Sequence, residues 1–385
     1  MFPIIDVSQH TDARARGIAY GAAAAARVAH SVATYARLFA SCGIDWADAA
    51  RRSARYMPAI EALDASLVQE LRGIAEGSGQ PFEAILALNC RTEILPASYL
   101  DDPGAHDAAV RAASALAANR AAGVQDWSEC TAMCVAPEAS ADGAAWFAQN
   151  WDWVGRQRAA LVILKTRDAA GQRITTLTEA GMLAKIGLGE AGFALGLNIV
   201  RSLQDGACAG LPVHVLLRHL LSCASVADAR ERFRALAALG FAASSNIPCA
   251  DAAGEVACFE VAPAGWAECR PVNGTVVHTN HFLCEALMSQ QAPLGTAVSS
   301  APRLETAARY AARQPLALAD LQAFLRDESH GYLSICRSPN PAWPVESRME
   351  SVAGIIIRPR TRQIWIAPDV PSRVAFVEVA AGQRG

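Results

Sequence analysis

Residues able to do chemistry are concentrated in one stretch of this 385-residue chain. Trp127-Ser-Glu-Cys130-Thr-Ala-Met-Cys134 leads to a turn signal at Asp142-Gly143 and then to Ala148-Gln-Asn-Trp-Asp152-Trp153. Apolar runs on either side of that turn read as two strands joined by a loop or hairpin, with Cys130 near the start of the first. Cys130 and Asp152 then fall at neighbouring strand ends. A thiol beside a carboxylate, after a long helical segment and ahead of β-rich sequence, describes a nucleophile that begins a strand once everything upstream has been cut away.

Such a nucleophile can make itself. Attack of the Cys130 thiolate on the Glu129 carbonyl converts the peptide bond into a thioester, and water then releases a new N-terminus at Cys130. The product carries nucleophile and base in one residue, because a free α-amine, with an ordinary pKa of about 7.7–8.0, can take the thiol proton. Histidine is not required. Donors for the tetrahedral oxyanion are, together with a charge that orients the amine, a task that suits Asp152. Spacing alone leaves other readings open. A cysteine in such a chain is more often a buried small hydrophobe, and Cys130-x3-Cys134 with His278-Thr-Asn-His281 offers metal-type side chains without the usual ligand spacing.

The elements that must position these residues follow from pattern. From Thr11 to about Ala122 the chain reads as four or five helices, with a long Ala-rich run at Ile18 to Ala40. Breaks come at Met57-Pro58, Gly77-Ser78-Gly79 and Gln80-Pro81, a turn at Asp101-Asp102-Pro103-Gly104, and a last helix at Ala108 to Ala122. After Cys130, short β-branched runs at Thr131 to Ala136, Ala144 to Trp151, Leu161 to Thr166, Ile174 to Thr178, Leu183 to Leu188 and Phe193 to Ile199 read as an antiparallel meander. Two helices follow within Pro212 to Leu239, the second capped by Ser225. Strands return at Ala242 to Ile247, Val256 to Val261 and Thr275 to His278, then helices at Ala301 to Ala312 and Leu318 to Arg326, then three strands between Val352 and Val379. Strands on either side of helix pairs imply stacked sheets covered by helices, an α+β architecture.

Composition narrows the partner. Hydrophobic residues make up 52% of the chain, enough for a substantial core, and the net charge of −3 comes without a basic cluster. Neither a nucleic-acid surface nor a polybasic membrane anchor is indicated, which leaves a small molecule. Met1-Phe-Pro-Ile-Ile-Asp has no basic or apolar leader character, so the eleven cysteines read as mostly reduced, in a cytoplasmic protein.

Eight stretches in one order carry a resemblance: Arg16-Gly-Ile-Ala-Tyr-Gly21, Leu88-Asn-Cys-Arg-Thr-Glu93, Glu129-Cys130-Thr131, Ala148-Gln-Asn-Trp-Asp-Trp153, Thr178-Glu-Ala-Gly181, Gly192 to Asn198, His278-Thr-Asn-His281 and Leu333-Ser-Ile-Cys-Arg337. Together they resemble the acyl-coenzyme A:6-aminopenicillanate acyltransferase (isopenicillin N acyltransferase-like) family of N-terminal-nucleophile (Ntn) hydrolases. The resemblance implies an αββα sandwich preceded by a helical segment, with self-cleavage before Cys130 into a 1–129 α chain and a 130–385 β chain that stay associated. It implies Cys130 as nucleophile, Asp152 as its aspartate, Asn280 as oxyanion support and Arg337 as the active-site arginine, with Glu129, Cys130 and Thr131 at the cleavage site. Asn198 and Ser244 are candidates for lining the substrate pocket. No cofactor or metal is called for; the substrate is a small amide or a thioester such as an acyl-coenzyme A, whose acyl group passes to water or an amine. One departure is Glu129, where the fungal enzyme has glycine. Glycine relieves strain at a tight scissile bond, so glutamate implies a slower cleavage or one that uses its carboxylate as a proton donor. Two other readings stay in play: an unprocessed relative that binds a ligand in the same pocket, and a metal-dependent hydrolase built on His278 and His281.

Overall fold

The first hundred residues fold as helices because alanine-rich, periodically apolar sequence is punctuated by caps and breakers. The computed structural model describes residues 1–100, 130–292, 299–341 and 348–379. After a three-residue strand β1 (Ile4–Asp6) come α1 (Ala13–Ala23), α2 (Ala25–Ser41), α3 (Trp46–Ala54), α4 (Met57–Ser78), α5 (Phe82–Asn89) and α6 (Arg91–Leu100). The Asp12 and Asp45 side chains accept the N–H groups of Ala15 and Asp48 and so cap α1 and α3. Pro58 sits in the first turn of α4, and Gly79 ends that helix at φ 67°. Six helices within residues 1–100 exceed the four or five expected for a longer stretch, because Ala24 interrupts the run read as continuous from Ile18 to Ala40. The expected turn at Asp101 to Gly104, the helix at Ala108 to Ala122, and Glu129 lie outside the described residues.

Gly17 and Gly21 of α1 face Gly73 and Gly77 of α4 backbone to backbone. A Cβ at Gly17 would lie 2.9 Å from the Gly73 Cα, and one at Gly73 would lie 2.9 Å from the Gly17 Cα. The first of the eight stretches is therefore a helix-packing device.

From Cys130 onward two sheets form. One runs β1-β4-β5-β6-β7-β9-β10-β11, with β8 also on β9, and contains β4 (Leu161–Arg167), β5 (Arg173–Glu179), β6 (Ile186–Gly189), β7 (Ala194–Leu195), β8 (Asn198–Ile199), β9 (Ser245–Ala250), β10 (Val256–Ala262) and β11 (Gly265–Cys269). The other runs β12-β2-β3-β13-β14-β15, from β2 (Thr131–Val135), β3 (Trp146–Val154), β12 (Thr275–His278), β13 (Met349–Arg358), β14 (Gln363–Ala367) and β15 (Val377–Val379). Among the described strands all pairings are antiparallel except that of β1 with β4. The six early strands are thus not one meander: β2 and β3 belong to the second sheet and only the later ones continue in the first. Their apolar content could not reveal this, because both sheets are covered on both faces and alternation is lost, as in the almost wholly buried β13.

The sheets meet face to face, Ile163 and Leu177 of one packing in the same core as Ile355 and Ile364 of the other. Helices α7 (Val213–Leu220) and α8 (Val226–Leu236) cover the outer face of the first sheet, where the Phe233 ring lies tilted against Phe259 with centroids 4.6 Å apart. After a short α9 (Glu285–Met288), helices α10 (Ser300–Ala311) and α11 (Leu318–Leu325) cover the second, setting Ala307 and Phe324 against Met133, Ala148 and Ile356. The order helix, sheet, sheet, helix is the αββα sandwich expected, and the helical N-terminal segment adds to its core through Tyr20, Val28 and Tyr35.

Candidate active site

Register in the second sheet assembles the site. Antiparallel pairing sets His278 opposite Ala132, so the chain leaving β12 reaches Asn280 beside the start of β2. Pairing of Thr131 with Asn150, and of Asp152 with Ser351, carries the same end of the sheet across β3 to β13. A bulge between Ser351 and Ala353 locally re-aims β13 where it faces Asp152. Asp152 lies inside β3, two residues from its end, a correction to the strand-end placement: the strand runs to Val154, beyond the break read at Trp151.

Cys130 is fully buried immediately before β2 and holds φ at 81°, a region that non-glycine residues rarely adopt. Its carbonyl accepts a 2.6 Å hydrogen bond from Arg303 Nη1, which also donates to Thr131 Oγ1 at 2.6 Å. Arg303 Nη2 donates to Asn280 Oδ1 at 2.6 Å, and Nε to Ser299 Oγ at 3.0 Å. One guanidinium therefore joins the cysteine, its neighbour and the asparagine. With Oδ1 turned to Arg303, the Asn280 amide directs Nδ2 the other way, where it donates to the Ile199 carbonyl at 2.8 Å; its backbone N–H donates to Ser300 Oγ.

Arg337 is equally buried and donates from Nη2 to the same Ser299 hydroxyl at 2.9 Å. Its Nε stands 3.9 Å from Asp152 Oδ2, an ion-pair distance beyond hydrogen-bond reach. Ser351 completes the link: its hydroxyl donates to Asp152 Oδ1 at 2.6 Å and accepts the Arg337 N–H at 2.8 Å. Asn150 Nδ2 donates to the carbonyls of Leu325 and Ile335, tying β3 to the segment that delivers Arg337. Burial pushes the neighbouring Cys336 thiol up to about 11, and those of Cys90 and Cys134 well above their ordinary range, which suits inert core thiols.

A family profile described as acyl-coenzyme A:6-aminopenicillanic acid acyl-transferase matches residues 139–373. The chain belongs to this family. A relative from Emericella nidulans, the acyl-coenzyme A:6-aminopenicillanic-acid-acyltransferase 40 kDa form, is 30% identical over 276 residues; the match spans 70% of this chain and 66% of the relative, just under two thirds of its length. Among solved structures, penicillin V acylase from Agrobacterium tumefaciens is similar at 16% identity and a TM-score of 0.39, covering 62% of this chain and 83% of its own. A mutant form of conjugated bile acid hydrolase from Clostridium perfringens is similar at 10% identity and a TM-score of 0.42, covering 65% and 97%.

Within this acyltransferase-family chain, the structure brings Cys130, Thr131, Asp152, Asn280 and Arg337 into one buried cluster, while Asn198 and Ser244 serve other networks. Asn198 Oδ1 accepts from Gln149 and its Nδ2 donates to Asn246; Ser244 donates to Asp205. Burial raises the Asp205 carboxyl, and bonds from Ser244 and Ser202 hold it down. His278 and His281 do not join Cys130 and Cys134: His278 Nε2 meets Glu260 at 2.7 Å and His281 Nδ1 meets Ser300 Oγ at 2.7 Å. Sequence reasoning missed Arg303, Ser299 and Ser351. A signal existed for Arg303, an arginine in the first turn of a helix where a positive charge is disfavoured unless something holds it.

Proposed function

We propose that this chain is a self-cleaving cysteine acyltransferase or amidohydrolase that acts on a small amide or an acyl thioester, acyl-coenzyme A included. The observation that carries the reading is the junction at Cys130: a buried cysteine at φ 81°, its carbonyl gripped by the guanidinium that also holds Asn280 and Thr131. A non-glycine residue held at positive φ costs on the order of 1–3 kcal/mol. Cutting the Glu129–Cys130 bond abolishes that torsion as a constraint, so relief of strain favours the N-to-S shift. The Cys130 sulfur bonds to the Glu129 carbonyl carbon, the C–N bond breaks, and the amine nitrogen gains a proton. Water then hydrolyses the thioester, leaving a carboxyl on Glu129 and a free thiol and α-amine on Cys130.

In the mature enzyme the α-amine accepts the thiol proton, and the sulfur adds to the substrate carbonyl. Asn280 supplies an amide donor to the oxyanion, a contribution worth about 3–4 kcal/mol where such donors have been removed. The amine or thiol leaving group departs with a proton, and the acyl group, held as a thioester on Cys130, passes to water or to an amine. Asp152 orients the new ammonium, and Arg337 holds Asp152 in place. The chains 1–129 and 130–385 stay together through the buried contacts of the N-terminal helices with the sandwich.

Intact mass decides the matter. The purified chain should separate into pieces of 129 and 256 (385 minus 129) residues, while Cys130→Ala stays whole. A wild-type chain that stays whole would leave an unprocessed ligand-binding relative.

A further inference from the structure

Outside the cluster of side chains around Cys130, Glu260, Cys269 and His278 bring their ligand-type atoms within 4.8 Å of one another. Adjacent strands supply them: β10 pairs with β11, and His278 closes β12. Cys269 is joined in a disulfide to Cys284, with Cα atoms 6.0 Å apart. This pair is the exception to the reading of the cysteines as reduced. Both cysteines are half-buried, whereas Glu260 and His278 are buried, so the cluster opens to solvent on its sulfur side.

The carboxylate and imidazole are held as metal ligands are held. Glu260 accepts the backbone N–H groups of Leu283 and Cys284, at 2.6 Å to Oε1 and 3.1 Å to Oε2. His278 Nδ1 lies 3.2 Å from the carbonyl of the next residue, Thr279. Nε2 faces Glu260 Oε1 at 2.7 Å, so two atoms of metal-ligand type already meet. A ring nitrogen turned to a backbone carbonyl and a carboxylate held by backbone N–H groups are the supports that orient the ligands of metal centres.

We propose that Glu260, Cys269, His278 and Cys284 form a thiol-dependent site for a divalent ion of the zinc class, alternating with the disulfide. In the oxidised form neither sulfur is a thiolate, and His278 and Glu260 hydrogen-bond to each other. Reduction by a thiol or phosphine delivers two electrons and two protons to the disulfide. Zinc then displaces the two thiol protons and takes the place of the hydrogen bond between His278 and Glu260, giving two thiolates, one neutral imidazole and one carboxylate around it, a donor set typical of four-coordinate structural zinc. Zinc–nitrogen and zinc–oxygen bonds of about 2.1 Å at a tetrahedral angle require the 2.7 Å His278–Glu260 gap to open by about 0.7 Å. Either form staples β11 to the turn after β12, four residues beyond Asn280. The site does not depend on the catalytic reading.

The test uses the full chain, reduced with a phosphine, desalted without oxygen and titrated with cobalt(II). One cobalt per chain is expected, with the visible bands of a tetrahedral ion and a thiolate charge-transfer band, both removed by added zinc; the unreduced protein should give neither. Cys269→Ser/Cys284→Ser should lose the signal. Because that variant could misfold, the wild type supplies its own control: zinc should shield Cys269 and Cys284, and not the nine other cysteines, from alkylation in peptide mass mapping. Reduced wild type without cobalt bands, bands that persist in the double variant, or alkylation of Cys269 and Cys284 unchanged by zinc would each overturn the proposal.

Discussion

Two buried charge clusters in this molecule are built on opposite plans. The first joins the N-terminal helices to the sandwich and centres on a carboxylate: Glu179 Oε2 accepts from Tyr35 at 2.6 Å and from Gln157 at 2.9 Å, and Arg91 lies 3.4 Å from Oε1. Trp153 donates to Tyr35, and the Arg91 guanidinium sits 4.3 Å from the Trp153 ring. Asn89 adds bonds to Gly181 and Leu183. The second cluster, at Cys130, centres on the arginines Arg303 and Arg337, and the oxygens that Arg303 grips are uncharged: a carbonyl, two hydroxyls and an amide. An anion-centred network with its donors converging closes a seam. A cation-centred one that holds neutral acceptors in place keeps a positive field at its centre. Seven of the eight stretches divide accordingly, with 16–21, 88–93 and 178–181 building the seam and its helix packing, and 130–131, 278–281 and 333–337 building the candidate site. Residues 148–153 serve both, since Trp153 faces the seam and Asp152 the site.

The sharpest break is Cys130→Ala, for which we expect no self-cleavage and no amide or thioester turnover, read by intact mass and by product assay. At the seam, Glu179→Ala strands buried donors of Arg91, Tyr35 and Gln157, and should cost about 3–5 kcal/mol in denaturant unfolding. In the self-cleaved protein the same change should let the two chains separate on gel filtration. At the site, Arg303→Lys keeps the charge but loses the fork that fixes Asn280 and Cys130 together. We expect kcat to fall about 100-fold with KM little changed, and stability to fall less than in Glu179→Ala. Equal loss of stability in both would erase the distinction between the clusters.

The smallest effect is a pH dependence belonging to the seam. Burial raises the Glu93 carboxyl to about 7, against the Val213 N–H and Arg91, which lower it. Between its ordinary value of about 4.3 and 7 the folded chain therefore holds a proton that the unfolded chain has lost. Stability falls as pH rises through that window and levels off above it. Unfolding of wild type and Glu93→Gln, compared at pH 5 and pH 7.5, should diverge by no more than about 3 kcal/mol, with the variant gaining on the wild type at the higher pH.

Much of this was legible in the residues. Cys130, Asp152, Asn280 and Arg337 were named from quoted stretches and meet in one buried cluster, and the helix and strand order gave the layered α+β architecture. Ser225 was recognised as a cap and does accept the Asp228 N–H. Less legible were features fixed by pairing between distant strands. The split of the early strands between two sheets, the β11 strand, and the reach of β3 past Asp152 depend on which neighbour completes the backbone hydrogen bonds, and apolar strands buried on both faces carry no alternation to signal it.

By itself, then, the sequence determined which residue types were available and the local elements that hold them, because caps, breakers and apolar runs act within a few residues. Only the tertiary structure decided which side chains share a partner. Arg303 reaches Cys130 and Asn280 across separations of 173 and 23 residues, and Ser351 meets Asp152 across 199. Such meetings are set by sheet order and register, where a shift of one residue would turn every side chain to the other face.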